Sequence, residues 1–327
     1  MIEQRLDQTS SIGAAWPPTE ATHERIRGFY ERALVADQVT ESFVEQFEGY
    51  KEETRIKDGF SRLSIRAIAN SEAIQKLAQS GVPLEGALPI RGHDDMHVVY
   101  AFWNDSERSI SDVDALGHSQ TLLNVTGTPH PREDHTWVDQ MDYLSSHIVD
   151  KNTSVEGKRL LIAEFTSLYD TFGYDANDVE HMLMNPDNTF AYIENEEGII
   201  STALAERGTV ENQDIGPVNL VEITEAITKE DQRGRGYYTA ISGILTDRLR
   251  KDPEVDILYG ESNLAMIGVL KAAHANGRRF SHFDAPLYGL GHDTFGILQQ
   301  NFKVEDGAEQ RPYNDFALSY VPLPVKG

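Results

Sequence analysis

A glycine-bearing turn that opens directly into a helix is the feature of this sequence best suited to chemistry. It follows an apolar strand pattern at 220–228, and its two glycines allow the backbone to approach a bound group closely. A helix N-terminus presents unpaired N–H groups and a partial positive charge, so it binds phosphate without needing many side chains. Two arginines add positive charge to this turn. The pattern predicts a pyrophosphate site formed by Gln232, Arg233, Gly234, Arg235, Gly236, Tyr237 and Tyr238.

Two other phosphate-binding turns do not fit this pattern. A dinucleotide-binding fold needs a three-glycine turn early in a βαβ unit and an acidic residue at the end of the next strand, and a P-loop needs Gly-Lys-Ser/Thr. Neither is present. A surface turn without a ligand is the remaining alternative, and the order strand, turn, helix argues against it.

The turn resembles the acyl-CoA motif of the GNAT superfamily of N-acetyltransferases, Arg/Gln-x-x-Gly-x-Gly/Ala after a strand. It departs from that motif at Tyr238, where a small residue is usual. Within the superfamily the chain is similar to the β-lysine N-acetyltransferase branch over about 63–103 and 160–321. The branch resemblance rests on Glu222–Thr228, on Tyr169–Phe172 and on Asp315–Phe316. It implies a GNAT fold and acetyl-CoA, or another acyl-CoA, as co-substrate.

The resemblance also implies a mechanism. The acceptor amine would attack the thioester carbonyl directly, and it must first lose a proton, so a carboxylate is expected as general base. Glu222 and Glu225 lie just before the turn, and three residues apart on a regular strand they would point to opposite faces. GNAT proteins have a bulge here that separates this strand from the next and forms a slot for pantetheine. The pantetheine amides would bind the backbone of Ala226, Ile227 and Thr228.

A second catalytic group, an acid for the leaving thiolate, is usually a Tyr in the helix after the next strand. The predicted helix at 264–276 contains no Tyr. Tyr259, Tyr238 and His274 are the substitutes, and each also has a purely structural explanation. Asn263, at the start of that predicted helix, is expected to cap it or to contact CoA.

Other clusters of polar residues predict less. His93, Asp94, Asp95 and His97 precede a strand, but their spacing matches no metal-ligand set, so a polar turn is expected and no metal. His282 and Asp284 would line the acceptor cleft or simply end a strand. The chain has no Cys, which excludes disulfides and thiolate nucleophiles, and no nucleophile-elbow sequence supports a Ser/His/Asp site.

The charge balance restricts the partners. In 327 residues there are 29 Lys+Arg and 53 Asp+Glu, a net charge of -24. Nucleic acid is not expected as a partner, because its binding depends on neutralising phosphates with basic residues. A small cationic amine such as an amino acid or diamine would be attracted. No stretch reaches membrane-spanning length and no signal peptide is evident, so a soluble cytoplasmic protein is expected, with a homodimer also compatible. An acidic surface of this kind is also typical of proteins kept soluble at high salt.

Hydrophobic periodicity predicts an α/β (α+β) protein with a mixed twisted sheet flanked by helices. In the first half we expect a helix at 19–36, whose apolar stripe consists of Ile26, Phe29, Tyr30, Ala33 and Leu34. After it we expect a helix at 41–50, a strand at 63–68, a helix at 71–79 and a strand at 96–103. The stretch 106–152 is expected to be a connector with one weak helix at 137–148.

The second half predicts alternating helices and strands. Helices are expected at 158–172, 175–184, 237–250 and 264–276, and strands at 190–194, 199–207, 219–228, 255–261, near Phe280 and at 316–321. The domain boundaries are a loose N-terminal arm (1–18), an N-terminal α/β half (19–105), the connector (106–152) and a GNAT acetyltransferase domain (153–327). The run after Gly81 into Trp103 parallels the run from Phe295 to Phe316, so the N-terminal half is interpreted as a partial GNAT-like repeat.

Three functions are compatible with these observations. The first is an acyl-CoA-dependent N-acetyltransferase acting on the primary amine of a small cationic molecule. The second is an acyltransferase using a larger or tRNA-borne acyl donor, against which the acidic charge argues. The third is a degenerate GNAT fold that binds acyl-CoA, or nothing, and serves as a regulatory or assembly protein.

Overall fold

The computed structural model describes residues 12–13, 25–37, 40–57, 62–104, 112–127, 144–283, 294–295, 297–303 and 313–324. The first half contains β1 (Ile12–Gly13), β2 (Arg25–Leu34), α1 (Thr40–Lys57), β3 (Arg62–Asn70), α2 (Ser71–Gln79), β4 (Leu84–Pro89) and β5 (Met96–Asn104). They are followed by α3 (Asp112–Thr126).

The second half contains β6 (Ser145–Val149), α4 (Val155–Tyr169), α5 (Ala176–Met184), β7 (Thr189–Asn195), β8 (Gly198–Val210), β9 (Val218–Thr228), α6 (Tyr237–Arg250), β10 (Ile257–Asn263) and α7 (Ile267–Ala275). The chain then forms β11 (Arg279–Phe280), β12 (His282–Phe283), β13 (Thr294–Phe295), β14 (Ile297–Lys303) and β15 (Tyr313–Tyr320). Short 3-10 turns cover Asp170–Phe172 and Glu230–Gln232.

The first sheet has the strand order β1-β2-β3-β5-β4. β2 and β3 are parallel, and β3, β5 and β4 pair antiparallel. Helices α1 and α2 cover one face, where Phe43, Phe47 and Leu77 pack on Leu63 and Ile65. Helix α2 begins sharply because the Asn70 side chain accepts the backbone N–H of Ala73.

The second sheet has the order β11-β15-β10-β9-β8-β7-β6, with β14 pairing to β15. All its neighbours pair antiparallel except β9 and β10, which are parallel. Helix α6 packs on one face through Ile241 and Leu245, and α4 and α5 cover the other face through Phe165 and Leu183. A mixed sheet flanked by helices, as predicted, is therefore the architecture of this half.

The two halves share a topology. In each half, a strand is followed by a helix and then by a second strand that pairs parallel with the first. A second helix follows, and after it come two strands that pair antiparallel with each other. One of these two strands also pairs antiparallel with the second strand. Thus β2-α1-β3-α2-β4-β5 corresponds to β9-α6-β10-α7-β14-β15. The repeat inferred from the sequence is present at the level of strand order and direction.

The sheets pack on each other through the face of the first sheet that α1 and α2 leave uncovered. This shared core contains Ile68, Val98 and Tyr100 from the first half and Leu220, Ile257, Tyr259 and Leu318 from the second. Polar contacts join the same surfaces: the Arg91 guanidinium donates to the carbonyls of Asp252, Val255 and Pro324. The first half therefore covers the β9, β10 and β15 part of the face opposite α6.

Three expectations for the N-terminal part and the connector were wrong. Residues 25–34 of the predicted helix 19–36 form strand β2, because pairing with β3 outweighs the helical spacing of the apolar residues. The predicted connector contains α3 and β6, and 145–148 of its predicted helix are strand. Ile12–Gly13, in the predicted loose arm, pairs with β2, and the rest of that arm lies outside the described residues.

The remaining predicted elements are confirmed, and α2 and α6 have the predicted bounds. Since β6 belongs to the second sheet, that unit extends N-terminally of the predicted boundary at 153. Within the described ranges, no helix combines the length and the apolar character that crossing a bilayer requires.

Candidate active site

A slot opens between β9 and β10. These strands pair only where Leu220–Glu222 meets Ile257–Tyr259, whereas β9 continues to pair with β8 as far as Thr228. Among the described strands, none therefore pairs with the β10-facing edge of β9 between Ile223 and Thr228. Backbone N–H and C=O groups on such an edge are available to an extended ligand.

A β-bulge lies in the same stretch of β9. Thr202 pairs with Ile227 and Leu204 with Thr224, so Glu225 and Ala226 together face Ala203 on β8. Glu225 has φ 44°, the one positive φ of a non-glycine residue within the described part of the chain. A bulge re-aims side chains and increases local twist, and left-handed backbone at a non-glycine residue is a form of stored strain. The separated strands and the bulge are the features that the resemblance to the GNAT superfamily implies.

The glycine turn connects this slot to α6. Gly234 and Gly236 have φ 79° and 83°, and Gly236 is the N-cap of α6 without any side-chain cap bond. The first turn of α6 has no acidic residue. Its first N–H groups have no acceptor within the helix, as at any helix start, so they are available to an anion.

Two arginines add positive charge within the turn, which follows the acidic residues Glu230 and Asp231. Arg233 and Arg235 are exposed, and the Arg233 Nε donates to the Thr228 carbonyl at 3.3 Å. Gln232 is half-buried and donates to the Asp231 side chain. The turn therefore offers main-chain donors and two guanidinium groups at one end of the slot, as an anion site requires.

Glu225 is held by two tyrosines. The Tyr174 hydroxyl donates to Glu225 Oε1 at 3.0 Å, and the Tyr169 hydroxyl donates to the Glu225 carbonyl at 2.8 Å. Tyr169 ends α4, and Tyr174 lies just before Asp175, the capping-box residue of α5. Burial raises the pKa of Glu225, and the hydrogen bond from Tyr174 opposes that rise. The two tyrosines thus fix both the backbone and the carboxylate of the bulge residue.

A second carboxylate, Glu206 of β8, is electrostatically coupled to Glu225. Burial, together with the nearby charge of Glu225, raises the pKa of Glu206 to about 7. When two carboxyls interact electrostatically in this way, their apparent pKa values belong to the pair. A carboxyl with a pKa near neutrality is suited to accept a proton from an ammonium group at physiological pH. Two carboxyls in this setting have the charge and the raised pKa that a site for a cationic amine requires.

Glu222 is the cross-strand neighbour of Glu206 but makes a different contact. Its Oε2 accepts the hydroxyl of Tyr259 at 2.8 Å, and Tyr259 is fully buried in the core between the sheets. The first half contributes Arg66, which lies 3.7 Å from Glu261 and 4.7 Å from the centre of the Tyr100 ring. Glu222 and Tyr259 thus face this interface, where Tyr259 has a structural contact.

The other predicted residues are dispersed along the slot and beyond it. The Ile227 carbonyl accepts the Ser201 hydroxyl, Thr228 Oγ1 lies 2.7 Å from Ser201 Oγ, and Ala226 packs against the core below α6. Tyr237 is buried in that core and Tyr238 is half-buried.

Asn263 and His274 are further from the glycine turn along the chain. Asn263 ends β10, and its Oδ1 accepts the N–H of Ala265; helix α7 begins later, with Met266 as N-cap, so the expectation that Asn263 caps this helix was wrong. His274 and Arg250 line a cleft of about 420 Å³. Arg250 is the last residue of α6, whereas the glycine turn lies at the other end of this helix.

The histidine and aspartate cluster before β5 has a structural explanation. Asp95 Oδ1 accepts the backbone N–H of Ser71 at the start of α2, and burial lowers the pKa of His97. Among the described residues no group of three His, Cys, Asp or Glu side chains is arranged to hold a metal ion. Asp284 lies outside the described residues.

Sequence reasoning missed Glu206, Tyr169 and Tyr174 as site residues. Glu206 is brought to the site by the register of β8 against β9, where it pairs with Glu222. The available signal was a glutamate directly after 199–205, a stretch without charged residues, because a charged residue in a buried strand is unusual. Tyr169 was noticed only as part of the run that carries the family resemblance.

Comparisons with known proteins give structural similarity only. No protein-family profile matches the sequence, and no curated protein sequence matches it. Arabidopsis thaliana NAA60 in complex with a bisubstrate analogue matches 56% of this chain and 99% of its own, with 11% identity and a TM-score of 0.41. An N-acetyltransferase from Staphylococcus aureus Mu50 matches 54% of this chain and 96% of its own, with 12% identity and a TM-score of 0.36.

Spermidine N-acetyltransferase SpeG from Vibrio cholerae, as a chimera with hSSAT, is also similar. It matches 55% of this chain and 95% of its own, with 10% identity and a TM-score of 0.34. All three TM-scores lie below 0.5, so what this chain does has to be inferred from its own slot, turn and carboxylates.

Proposed function

We propose that this protein is an acyl-CoA-dependent N-acyltransferase that transfers an acetyl or other short acyl group to the primary amine of a small cationic molecule. One observation carries the proposal: the slot between β9 and β10 connects the carboxylate-bearing bulge at Glu225 to the glycine turn at Gly234–Gly236. An anion site, an extended backbone edge and a proton acceptor in that order fit a thioester with a long diphosphate-bearing arm.

Each part of the ligand has a matching part of the chain. The N–H groups at the start of α6, with Arg233 and Arg235, would bind the diphosphate. The β10-facing edge of β9 from Ile223 to Thr228 would bind the pantetheine amides. The thioester would then lie near the Glu225 bulge.

The carboxylate pair would act on the acceptor. Glu206 and Glu225 would attract the ammonium form, and the pair would accept its proton so that the neutral amine attacks the thioester carbon. Tyr174 would keep the Glu225 carboxylate in place through its 3.0 Å hydrogen bond. The carbon–sulfur bond breaks as the amide bond forms, and the leaving thiolate takes the second proton that the amine nitrogen loses, so CoA leaves as its thiol.

The net charge of -24 and the carboxylate pair favour an amino acid or a diamine as acceptor. This agrees with the resemblance to the β-lysine N-acetyltransferase branch. The same charge disfavours a tRNA-borne donor, because such a donor is a polyanion.

Calorimetry with CoA tests the anion site. Gly236→Val should weaken CoA binding by about tenfold or more, because φ 83° is strained for a β-branched residue. Gly216→Val is the matched control, since Gly216 also has a positive φ, of 81°, but lies in the turn between β8 and β9. Equal loss of affinity in both variants, or no heat with the wild type, would contradict the proposal.

Release of free thiol from acetyl-CoA with a panel of amines separates an enzyme from a degenerate binding protein. We expect release with amino acids or diamines, and a reduction of about 100-fold or more in Glu225→Gln. Binding of CoA without release for any amine would favour the regulatory or assembly role instead.

A further inference from the structure

Arg278 is a buried cation that the proposed reaction does not use. Its side chain is 2% exposed, and neither Nε nor Nη2 has a hydrogen-bond partner among the described residues. Burial lowers its pKa, and the charged or ionisable groups that act on it are Tyr238 and Glu222. A buried guanidinium with two unsatisfied donors is unfavourable unless an anion or acceptor compensates it.

The guanidinium lies where β9 and β10 begin to separate. Gly260 follows Tyr259, the last residue of β10 that pairs with β9. A Cβ added to Gly260 would come within 2.3 Å of Arg278 Nη1 and 3.0 Å of the Ile223 carbonyl. The absence of a side chain at Gly260 therefore makes the space that the guanidinium occupies beside the slot.

Arg278 and the carboxylate pair belong to opposite faces of the sheet. Successive residues of β10 alternate between the two faces: Leu258 packs with α6, whereas Ile257 and Tyr259 pack toward the first half. Gly260 therefore faces α6. Leu204 packs under α4 and α5, so Glu206, two residues along β8, is on their side. An acceptor amine at the carboxylates would thus approach from one face, while Arg278 lies on the other face, beside the slot at Gly260 and at the edge of the cleft that His274 lines.

We propose that Arg278 binds the terminal carboxylate of a dicarboxylic acyl group, such as succinyl, carried on CoA. This inference rests on the proposed function, since it assumes that the slot holds the thioester. Nε and Nη2 would donate a pair of charge-assisted hydrogen bonds to that carboxylate, the geometry that guanidinium groups favour. The chain would then select its acyl donor by charge.

The test compares the affinities of acetyl-CoA, malonyl-CoA, succinyl-CoA and glutaryl-CoA for the full chain by calorimetry. We expect one of the three dicarboxylic thioesters to bind about 10- to 100-fold more tightly than acetyl-CoA. Arg278→Gln should remove this preference while changing acetyl-CoA affinity by less than about threefold. Arg279→Gln, which removes the same charge from the exposed neighbour, should retain the preference.

The outcomes distinguish a failure of this inference from a failure of the proposed function. If the wild type binds acetyl-CoA at least as tightly as every dicarboxylic thioester, the inference is wrong and the proposed function stands. That comparison needs no variant, so it decides the matter even if Arg278→Gln does not fold. The inference is also wrong if folded Arg278→Gln still prefers a dicarboxylic thioester to acetyl-CoA. It is wrong as well if Arg278→Gln changes only the KM of the amine. If no CoA thioester binds, the proposed function fails and the inference fails with it.

Discussion

Replacing Glu206 by Gln is expected to stabilise the protein at alkaline pH while reducing its activity. Folding raises the pKa of this carboxyl from 4.5 to about 7, through burial and the nearby Glu225. Between these pH values the folded state holds a proton that the unfolded state has released, so stability decreases as the pH rises through this window. The penalty is absent below about pH 4.5 and complete above about pH 7, where it amounts to up to about 3 kcal/mol at 1.36 kcal/mol per pH unit.

Urea unfolding at two pH values measures this penalty. A neutral Gln of similar size avoids the cost of ionisation, so Glu206→Gln should gain up to about 3 kcal/mol over the wild type at pH 8.5 and only about 1 kcal/mol at pH 5.5. The thiol-release rate at neutral pH should fall, because half of the proton-accepting pair has been removed.

The control is Glu211→Gln, which changes an exposed glutamate just after β8 and should leave stability nearly unchanged at both pH values. An equal gain for both variants would show only a general effect of net charge. A Glu206→Gln protein that is less stable than the wild type at pH 8.5 would refute the conclusion that folding raises the pKa of Glu206.

Three further predictions concern the slot and the contact between the sheets. Tyr174→Phe removes the hydrogen bond that lowers the pKa of Glu225, so the acidic limb of the kcat/KM profile should move to higher pH. Gly260→Ala should weaken CoA binding, measured by calorimetry, because the added methyl group would lie 2.3 Å from Arg278 Nη1 and 3.0 Å from the Ile223 carbonyl and would force atoms beside the slot to shift. Arg66→Met should cost about 3 kcal/mol in urea unfolding, since Arg66 and its partner carboxylate are 4% and 9% exposed. Arg32→Met is the control for Arg66→Met and should cost less than about 1 kcal/mol, because its ion pair is 59% and 36% exposed.

Elements with complete local signals were predictable from the sequence. Helix α6 has glycines before it and a continuous apolar stripe, and α2 has Asn70 as its cap and a glycine after it. Strand β2 was not predictable, because Ala33 faces the second sheet while Leu34 packs under the helices. A strand buried on both faces loses the alternation by which strands are recognised, and its apolar residues then match a helical spacing by chance.

The candidate site was predictable only in part, for a related reason. The identity of Glu225 and its place before the turn are local information. Its left-handed backbone, and its coupling to Glu206, depend on how β8 aligns with β9 around the bulge. A shift of one residue in that register would move Glu206 to the α6 face, so no pattern within β8 alone identifies it.

The two halves share a topology but have different roles in the proposed function. After β9 the chain has Gly234 and Gly236 at the start of α6, whereas after β2 it continues Val35-Ala36-Asp37 toward α1 without a glycine. A helix start without glycines approaches a diphosphate less closely, and Asp37 would repel it. The first half instead buries its free face on Tyr259 and Leu318, covering the sheet beside the slot. In the proposed function one of the two repeated units would bind the anion, and the other covers part of its neighbour's sheet with apolar side chains.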